Sequence, residues 1–297
     1  MENILLIGCG FVGGATADLF IAENIENDSS LWKIATLNRR TPISNLTPRA
    51  RRFIQCFSGD VTHARQFAAL VREKNITADV IIFSASTKGG DMAAYRNLYL
   101  GGLKNLRECF PDAPILFTGS TSVYGQIDGE KVTEESATLP KGDKGKILLE
   151  AESITLASGG WVLRLGGIYG PGRSIYLERF MLGKALPTAK DLLRYVNQIH
   201  REDAARAIHF VIKQDIVSGI YNVVDDTPSQ LRDVYEWLAQ ATADCSLKQT
   251  VSEIPPDTPR KRPWTNKRVL NKKLRQAGWF PQFASYQKAI PSLLEAR

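Results

Sequence analysis

The stretch Ile4-Leu5-Leu6-Ile7-Gly8-Cys9-Gly10-Phe11-Val12-Gly13 decides the architecture of this chain. Its four leading apolar residues read as a buried strand, and the glycines after them have the GxGxxG spacing. From Val12 to Ala22 the apolar Val12, Ala15, Leu19 and Phe20 recur at helical spacing, so a helix follows at once. In a strand–turn–helix unit of this kind, Gly8 permits the tight turn and Gly10 lets backbone approach a pyrophosphate. Gly13 lets the helix pack close. The helix start at Phe11 and Val12 offers free amide protons and a partial positive charge to the phosphates. Gly8, Gly10, Phe11, Val12 and Gly13 are therefore read as a dinucleotide-binding turn.

The end of the next strand, Leu37-Asn38-Arg39-Arg40, bears on which dinucleotide. An acid there would grip the ribose 2′-hydroxyl of NAD. Asn38, Arg39 and Arg40 suit a 2′-phosphate instead, which makes NADP the expected cofactor and NAD the runner-up. The other reading is that both arginines simply face water. Asp60, after a short third strand, either meets the adenine amino group or caps a turn.

Outward from the turn, short apolar runs alternate with helical patterns, as in a parallel sheet flanked by helices. Trp32–Leu37, Arg52–Phe57, Asp79–Ser84, Pro114–Thr118 and Trp161–Leu165 read as strands, and 79–84 is apolar enough to be buried on both faces. Helices are expected over 64–74, 92–109 and 146–157. After residue 165 the texture changes to turn formers, shorter helices over 174–183, 203–213 and 232–242, a strand at 219–224 and a proline-rich connector at 255–263. The expected fold is α/β, a Rossmann-type doubly wound parallel sheet with a smaller, interleaved C-terminal substrate domain. The dinucleotide domain is placed at 1–165 and the substrate-facing part at 166–297.

Composition narrows the classes. The 297 residues carry 38 basic and 31 acidic side chains, a net +7, with 43% hydrophobic residues. That balance suits an anionic small molecule; no aromatic–basic motif accompanies it, so nucleic acid is not expected as a partner. No apolar run reaches the roughly 18 residues of a membrane span, and the N-terminus has none of the basic flank of a signal peptide. A cytoplasmic location is expected. Cys9, Cys56, Cys109 and Cys245 form no CxxC pair, and three histidines leave little room for a metal. Cys9, inside the glycine turn, reads as a small packing residue.

Further motifs carry a resemblance. Ser58-Gly59-Asp60-Val61, Ser120-Thr121-Ser122-Val123-Tyr124-Gly125, Arg164-Leu165-Gly166-Gly167-Ile168-Tyr169-Gly170-Pro171-Gly172, Ile199-His200-Arg201-Glu202-Asp203 and Gly219-Ile220-Tyr221-Asn222-Val223 follow the glycine turn in order. Together they resemble the extended short-chain dehydrogenase/reductase superfamily, the NAD-dependent epimerase/dehydratase group. The Tyr99-Leu100 helix start is similar to the atypical, YeeZ-like bacterial members, which also lack the active-site tyrosine.

The resemblance implies a tyrosine acting as acid or base, a lysine four residues later that holds the nicotinamide ribose, and an orienting serine. The lysine maps to Lys146 and the serine to Ser120. The tyrosine position is Gly142, which has no side chain to donate a proton. Tyr124, Tyr169, Tyr99 or the hydroxyls of Ser120, Thr121 and Ser122 are the alternative donors, although Tyr124 has a packing role as its other reading. Lys144 is a rival to Lys146. Arg173 could reach an anionic substrate. His200 lies in a segment that meets substrate in the family, or else is a buried or capping histidine. Two functions remain: an NADP-preferring oxidoreductase acting on a nucleotide sugar or other anionic metabolite, or a sensor that binds NAD(P) without turnover. Family members commonly dimerise, so a homodimer is implied.

Overall fold

A computed structural model describes residues 2–27, 31–39, 46–48, 50–182, 188–242 and 264–295. Arg40, Cys245 and the 255–263 connector lie outside them. The chain divides into two compact units that alternate along the sequence. One comprises Met1–Val123, Asp143–Arg164 and Ala205–Tyr221; the other comprises Tyr124–Gly142, Leu165–Ala204 and Asn222–Arg297.

The first unit is organised by a seven-stranded sheet. Its strands are β1 (Glu2–Ile7), β2 (Trp32–Asn38), β3 (Ile54–Ser58), β4 (Val80–Phe83), β5 (Ile115–Ser120), β7 (Trp161–Leu165) and β11 (Gly219–Val223). They lie in the order β11-β7-β5-β4-β1-β2-β3. The run from β3 through β2, β1 and β4 to β5 pairs in parallel, with Ile4 opposite both Ile34 and Val80. Flanked by β2 and β4, the central β1 buries Ile4, Leu5, Leu6 and Ile7 completely, which is why its sequence is apolar without alternation. Strand order reverses between β1 and β4, and ligands of doubly wound sheets bind outside the carboxyl ends of the strands at such a point.

Helices α1 (Phe11–Glu26), α2 (Ala64–Glu73), α3 (Met92–Arg96), α4 (Gly102–Cys109), α5 (Asp143–Leu156) and α8 (Arg201–Lys213) flank or follow these strands. Where the sequence predicts one helix over 92–109, a π turn at Asn97–Gly101 separates α3 from α4. The Gly101-Gly102 pair lowers the cost of widening the ladder, and the wider turn buries consecutive side chains, Tyr99 and Leu100. Helix α5 starts at Asp143 rather than Lys146, with that carboxylate in the first turn where the helix dipole favours it.

Among the described residues, the second unit holds three small strand pairs. Strands β8 (Gly167–Tyr169) and β10 (Gln198–His200) are parallel, as are β6 (Glu130–Val132) and β13 (Lys267–Val269). Strands β9 (Tyr195–Val196) and β12 (Ser229–Gln230) are antiparallel. Its helices are α6 (Ile175–Met181), α7 (Ala189–Leu192), α9 (Leu231–Thr242), α10 (Lys272–Gln276) and α11 (Tyr286–Glu295). Leu231, Val234 and Leu238 of α9 share a helix face and pack with Leu177, Ile290 and Leu293 in one core. Asp203 accepts hydrogen bonds from the backbone amides of Gln282 and Phe283, at 2.7 and 2.8 Å, and so anchors the approach to α11. Among the described residues, no helix is long and apolar enough to cross a membrane, and no three metal-binding side chains cluster.

Candidate functional site

Each glycine of the turn answers a different demand. Gly8 sits at φ +89°, and a Cβ there would lie 2.5 Å from the Ala85 Cα, so both conformation and space exclude a side chain. A Cβ on Gly13 would lie 2.3 Å from the Gly8 carbonyl oxygen, which fixes how closely α1 approaches β1. Gly10, the residue preceding α1, is different. Among the described residues, no atom beyond its chain neighbours lies within 4 Å of where its Cβ would be, and its φ of −89° is not left-handed. No steric contact among the described residues requires a glycine there, whereas a pyrophosphate against the helix start would.

Asn38 closes β2 beside this turn. Its side-chain oxygen accepts from the Cys9 amide at 2.7 Å, holding the loop, while its buried Nδ2 has no partner among the described residues. Arg39 is exposed. Asp60 accepts from both the Thr62 amide (2.9 Å) and the Thr62 hydroxyl (2.7 Å) through one oxygen, and its other oxygen lies 3.7 Å from His63. Burial raises its carboxyl, but the Thr62 bonds, His63 and Arg39 outweigh that and leave it below the ordinary range. Cys9 is buried, and burial, followed by Cys56 and Asp18, pushes its thiol up to about 12. A protonated thiol is a poor nucleophile, in line with a packing role.

At the carboxyl end of β5, the Ser120 hydroxyl oxygen accepts from the Ser122 amide at 3.2 Å. Two lysines of α5 point differently. Lys146 is 65% exposed, and its Nζ lies 3.0 Å from Asp143 Oδ1, one turn back. Lys144 is half-buried; its Nζ donates to the Gly90 carbonyl at 2.8 Å and lies 5.0 Å from the centroid of the Tyr95 ring. Farther along the helix, Glu152 and Arg164 of β7, each 3% exposed, form two bonds of 3.0 and 2.7 Å. Gly142 precedes α5.

In the second unit, Tyr124 is fully buried and its hydroxyl donates to Asn222 Oδ1 at 2.9 Å. Arg173 is exposed, and its amide and carbonyl exchange 2.9 Å bonds with Gly170 in a tight turn. His200 is 2% exposed, stacked between Tyr169 at 5.3 Å and Phe283 at 4.0 Å. Its Nδ1 accepts from the Glu202 amide at 3.3 Å, while Nε2 and the Tyr169 hydroxyl are buried without partners among the described residues. Burial pushes the imidazole down to about 4, with Glu202 opposing and Arg201 adding, and pushes the Tyr169 phenol upward. Tyr99, another sequence candidate, is buried against Phe83 and Phe117.

The first unit thus gathers the glycine turn, Asn38, Arg39 and Asp60 around the ends of β1, β2 and β3. Tyr95 and the Gly90 carbonyl were not singled out by sequence. The signal was present in α5, where Ile147, Leu148 and Ala151, at i+3, i+4 and i+7 from Lys144, are apolar, and the corresponding positions from Lys146 include Glu150 and Ser153.

The sequence profile of the NAD dependent epimerase/dehydratase family matches residues 4–223, from β1 to the end of β11. The chain belongs to that family. The chain is similar to other proteins in sequence over part of its length and in fold over nearly all of it. YeeZ of Escherichia coli K12 is 38% identical over 112 residues, a match covering 37% of this chain and only 39% of that protein. A Methylobacillus flagellatus protein that carries the epimerase/dehydratase name is 26% identical, with a TM-score of 0.76 over 99% of this chain and 98% of its own. UDP-glucose 4-epimerase of Thermus thermophilus, solved with NAD, superposes at a TM-score of 0.78 with 20% identity, covering 99% and 98% of the two chains. That last likeness is one of fold.

Proposed function

We propose that this epimerase/dehydratase is an NADP-preferring oxidoreductase acting on an anionic metabolite, of which a nucleotide sugar is the leading class. The observation that carries the cofactor reading is Gly10, a glycine that no contact among the described residues demands, at the start of α1 beside Gly8 and Gly13. Phe11 and Val12 would present their amides to the phosphates. The unpartnered Asn38 Nδ2 and the exposed Arg39 favour a 2′-phosphate, with Arg40 expected to add to them. Asp60 has one oxygen committed to Thr62, so its role here is to shape the turn.

A bound nicotinamide supplies or accepts hydride at its C4. The chain's own part is to orient substrate and move a proton. Ser120 accepts from Ser122 and keeps its own hydroxyl proton to donate to a substrate oxygen. Arg173 is a surface cation suited to an anionic substrate. Nucleotide sugars enter through a relative, UDP-glucose 4-epimerase. A homodimer in the cytoplasm belongs to the same proposal.

The second reading, a sensor that binds dinucleotide without turnover, is favoured by Gly142 alone, since that position offers no proton donor. Fluorescence titration with NADPH and NADH tests the reading. NADPH binding tighter than NADH by tenfold or more, about 1.4 kcal/mol, is expected. The reverse order removes the NADP preference, and binding of neither removes the cofactor reading.

A further inference from the structure

The segment between β4 and α3 runs from the glycine turn to α5. At its start, Ser84 donates from its amide to the Ile7 carbonyl at 2.9 Å, and Ala85 lies against Gly8. At its end, the Gly90 carbonyl accepts from Lys144 Nζ, and Asp91 caps α3 by accepting from the Ala94 amide at 2.8 Å. Tyr95 follows one turn into α3. Its ring lies 4.7 Å from that of Tyr99, which packs against Phe83 of β4 and Phe117 of β5. The π turn begins two residues after Tyr95, a kind of helix defect that is frequent at functional sites. A phenol and an ammonium are therefore fixed together by the loop that borders the glycine turn at the strand-order reversal.

We propose that Lys144 is the lysine that faces the cofactor, and that Tyr95 beneath it supplies the phenol that position 142 lacks. The inference rests on the dinucleotide reading above. Lys144 shares its helix face with the buried Ile147, Leu148 and Ala151 and packs against Gly90 and Tyr95, whereas Lys146 points to solvent and pairs with Asp143. The Tyr95 hydroxyl has no hydrogen-bond partner among the described residues. A cation over an aromatic face is held there by the ring quadrupole. In reduction, the Tyr95 hydroxyl proton passes to a carbonyl oxygen as hydride from the reduced nicotinamide adds to the carbonyl carbon. The carbonyl becomes an alcohol, the nicotinamide is oxidised, and water returns a proton to the phenolate.

The test compares Lys144→Met, Lys146→Met and Tyr95→Phe with the unaltered protein in NADPH titrations. Lys144→Met is expected to weaken binding about tenfold or more, the scale of one charged hydrogen bond, and Lys146→Met less than about twofold. Equal affinity of Lys144→Met and the unaltered protein overturns the lysine assignment, and failure of the unaltered protein to bind NADPH or NADH overturns the dinucleotide reading itself. Acetylation of Tyr95 by N-acetylimidazole, mapped by peptide mass spectrometry, needs no variant to fold. Saturating NADPH is expected to protect Tyr95, and equal labelling with and without NADPH places the phenol away from the cofactor. With 4-nitrobenzaldehyde as carbonyl probe, Tyr95→Phe is expected to bind NADPH normally yet reduce the aldehyde about 100-fold more slowly. No difference in rate from the unaltered protein overturns the proton-donor assignment.

Discussion

Glu152 of α5 and Arg164 of β7 meet side by side in the interior, with Arg164 Nε on one carboxylate oxygen at 3.0 Å and a terminal guanidinium nitrogen on the other at 2.7 Å. Both are 3% exposed, so each neutralises a charge that water does not reach. Removing Glu152 takes the carboxylate away from a buried guanidinium. Glu152→Ala should cost about 3–5 kcal/mol, while replacing both residues by methionine should cost much less. Urea denaturation of the single and double variants checks this, and equal losses in the two would contradict it.

Gly10→Ala separates binding from folding. Because its Cβ meets no atom among the described residues, stability should change little, by about 1 kcal/mol or less. NADPH affinity should nevertheless drop sharply. Gly13→Ala, pressed against the Gly8 carbonyl, should lose stability as well. A thermal melt beside each titration distinguishes them.

Glu23 of α1 accepts from Trp32 Nε1 at 2.9 Å, from His209 at 2.8 Å and from Lys213. Burial raises its carboxyl, but those three bonds dominate and bring it down to about 2 from 4.5. The folded form binds the proton less well than the unfolded chain, so this stabilisation is complete above pH 4.5 and disappears as pH falls toward 2. Glu23→Gln should flatten that acid limb. An unchanged limb in acid titrations followed by circular dichroism would count against the clasp.

His200 predicts a separate window. Its imidazole is lowered from 6.5 to about 4, so between those values the unfolded chain takes up a proton that the folded one refuses. Stability should decline as pH drops from 6.5 to about 4 and level off below. Nitrogen NMR at a pH of about 5.5, inside that window, should show neutral His200, and a protonated ring there would refute the burial argument.

Thiol labelling offers a simpler check. Exposed Cys56 should react with iodoacetamide at a pH of about 8, and buried Cys9, raised to about 12, should stay unmodified until the protein unfolds. Peptide mapping reads both sites at once.

The sheet was legible in sequence because strands buried on both faces are apolar without interruption, as at Ile4–Ile7 and Val80–Phe83. The glycine turn was legible because its GxGxxG spacing falls between a strand and a helix, although only Gly8 and Gly13 are demanded by contacts within the described residues. The lysines were harder. Positions 144 and 146 lie about 200° apart around a helix, and motif spacing alone names a residue without naming its face. The two- and three-residue strands of the second unit carry no period to detect, and His200, between Ile199 and Arg201, gives no sign of its aromatic enclosure. The π turn was equally hidden, since a change of one residue per turn leaves the apolar pattern of 92–109 almost intact.

The pairing of β6 with β13 sets a condition on biosynthesis. Lys131 lies opposite Arg268, so a strand near the middle of the chain has no partner until more than a hundred further residues have left the ribosome. During that interval the glycine turn and the strands around it can already assemble, whereas Glu130–Val132 must wait as an open edge. Ribosome-stalled chains ending before residue 264 should therefore engage chaperones through this segment, and extension past Val269 should release them.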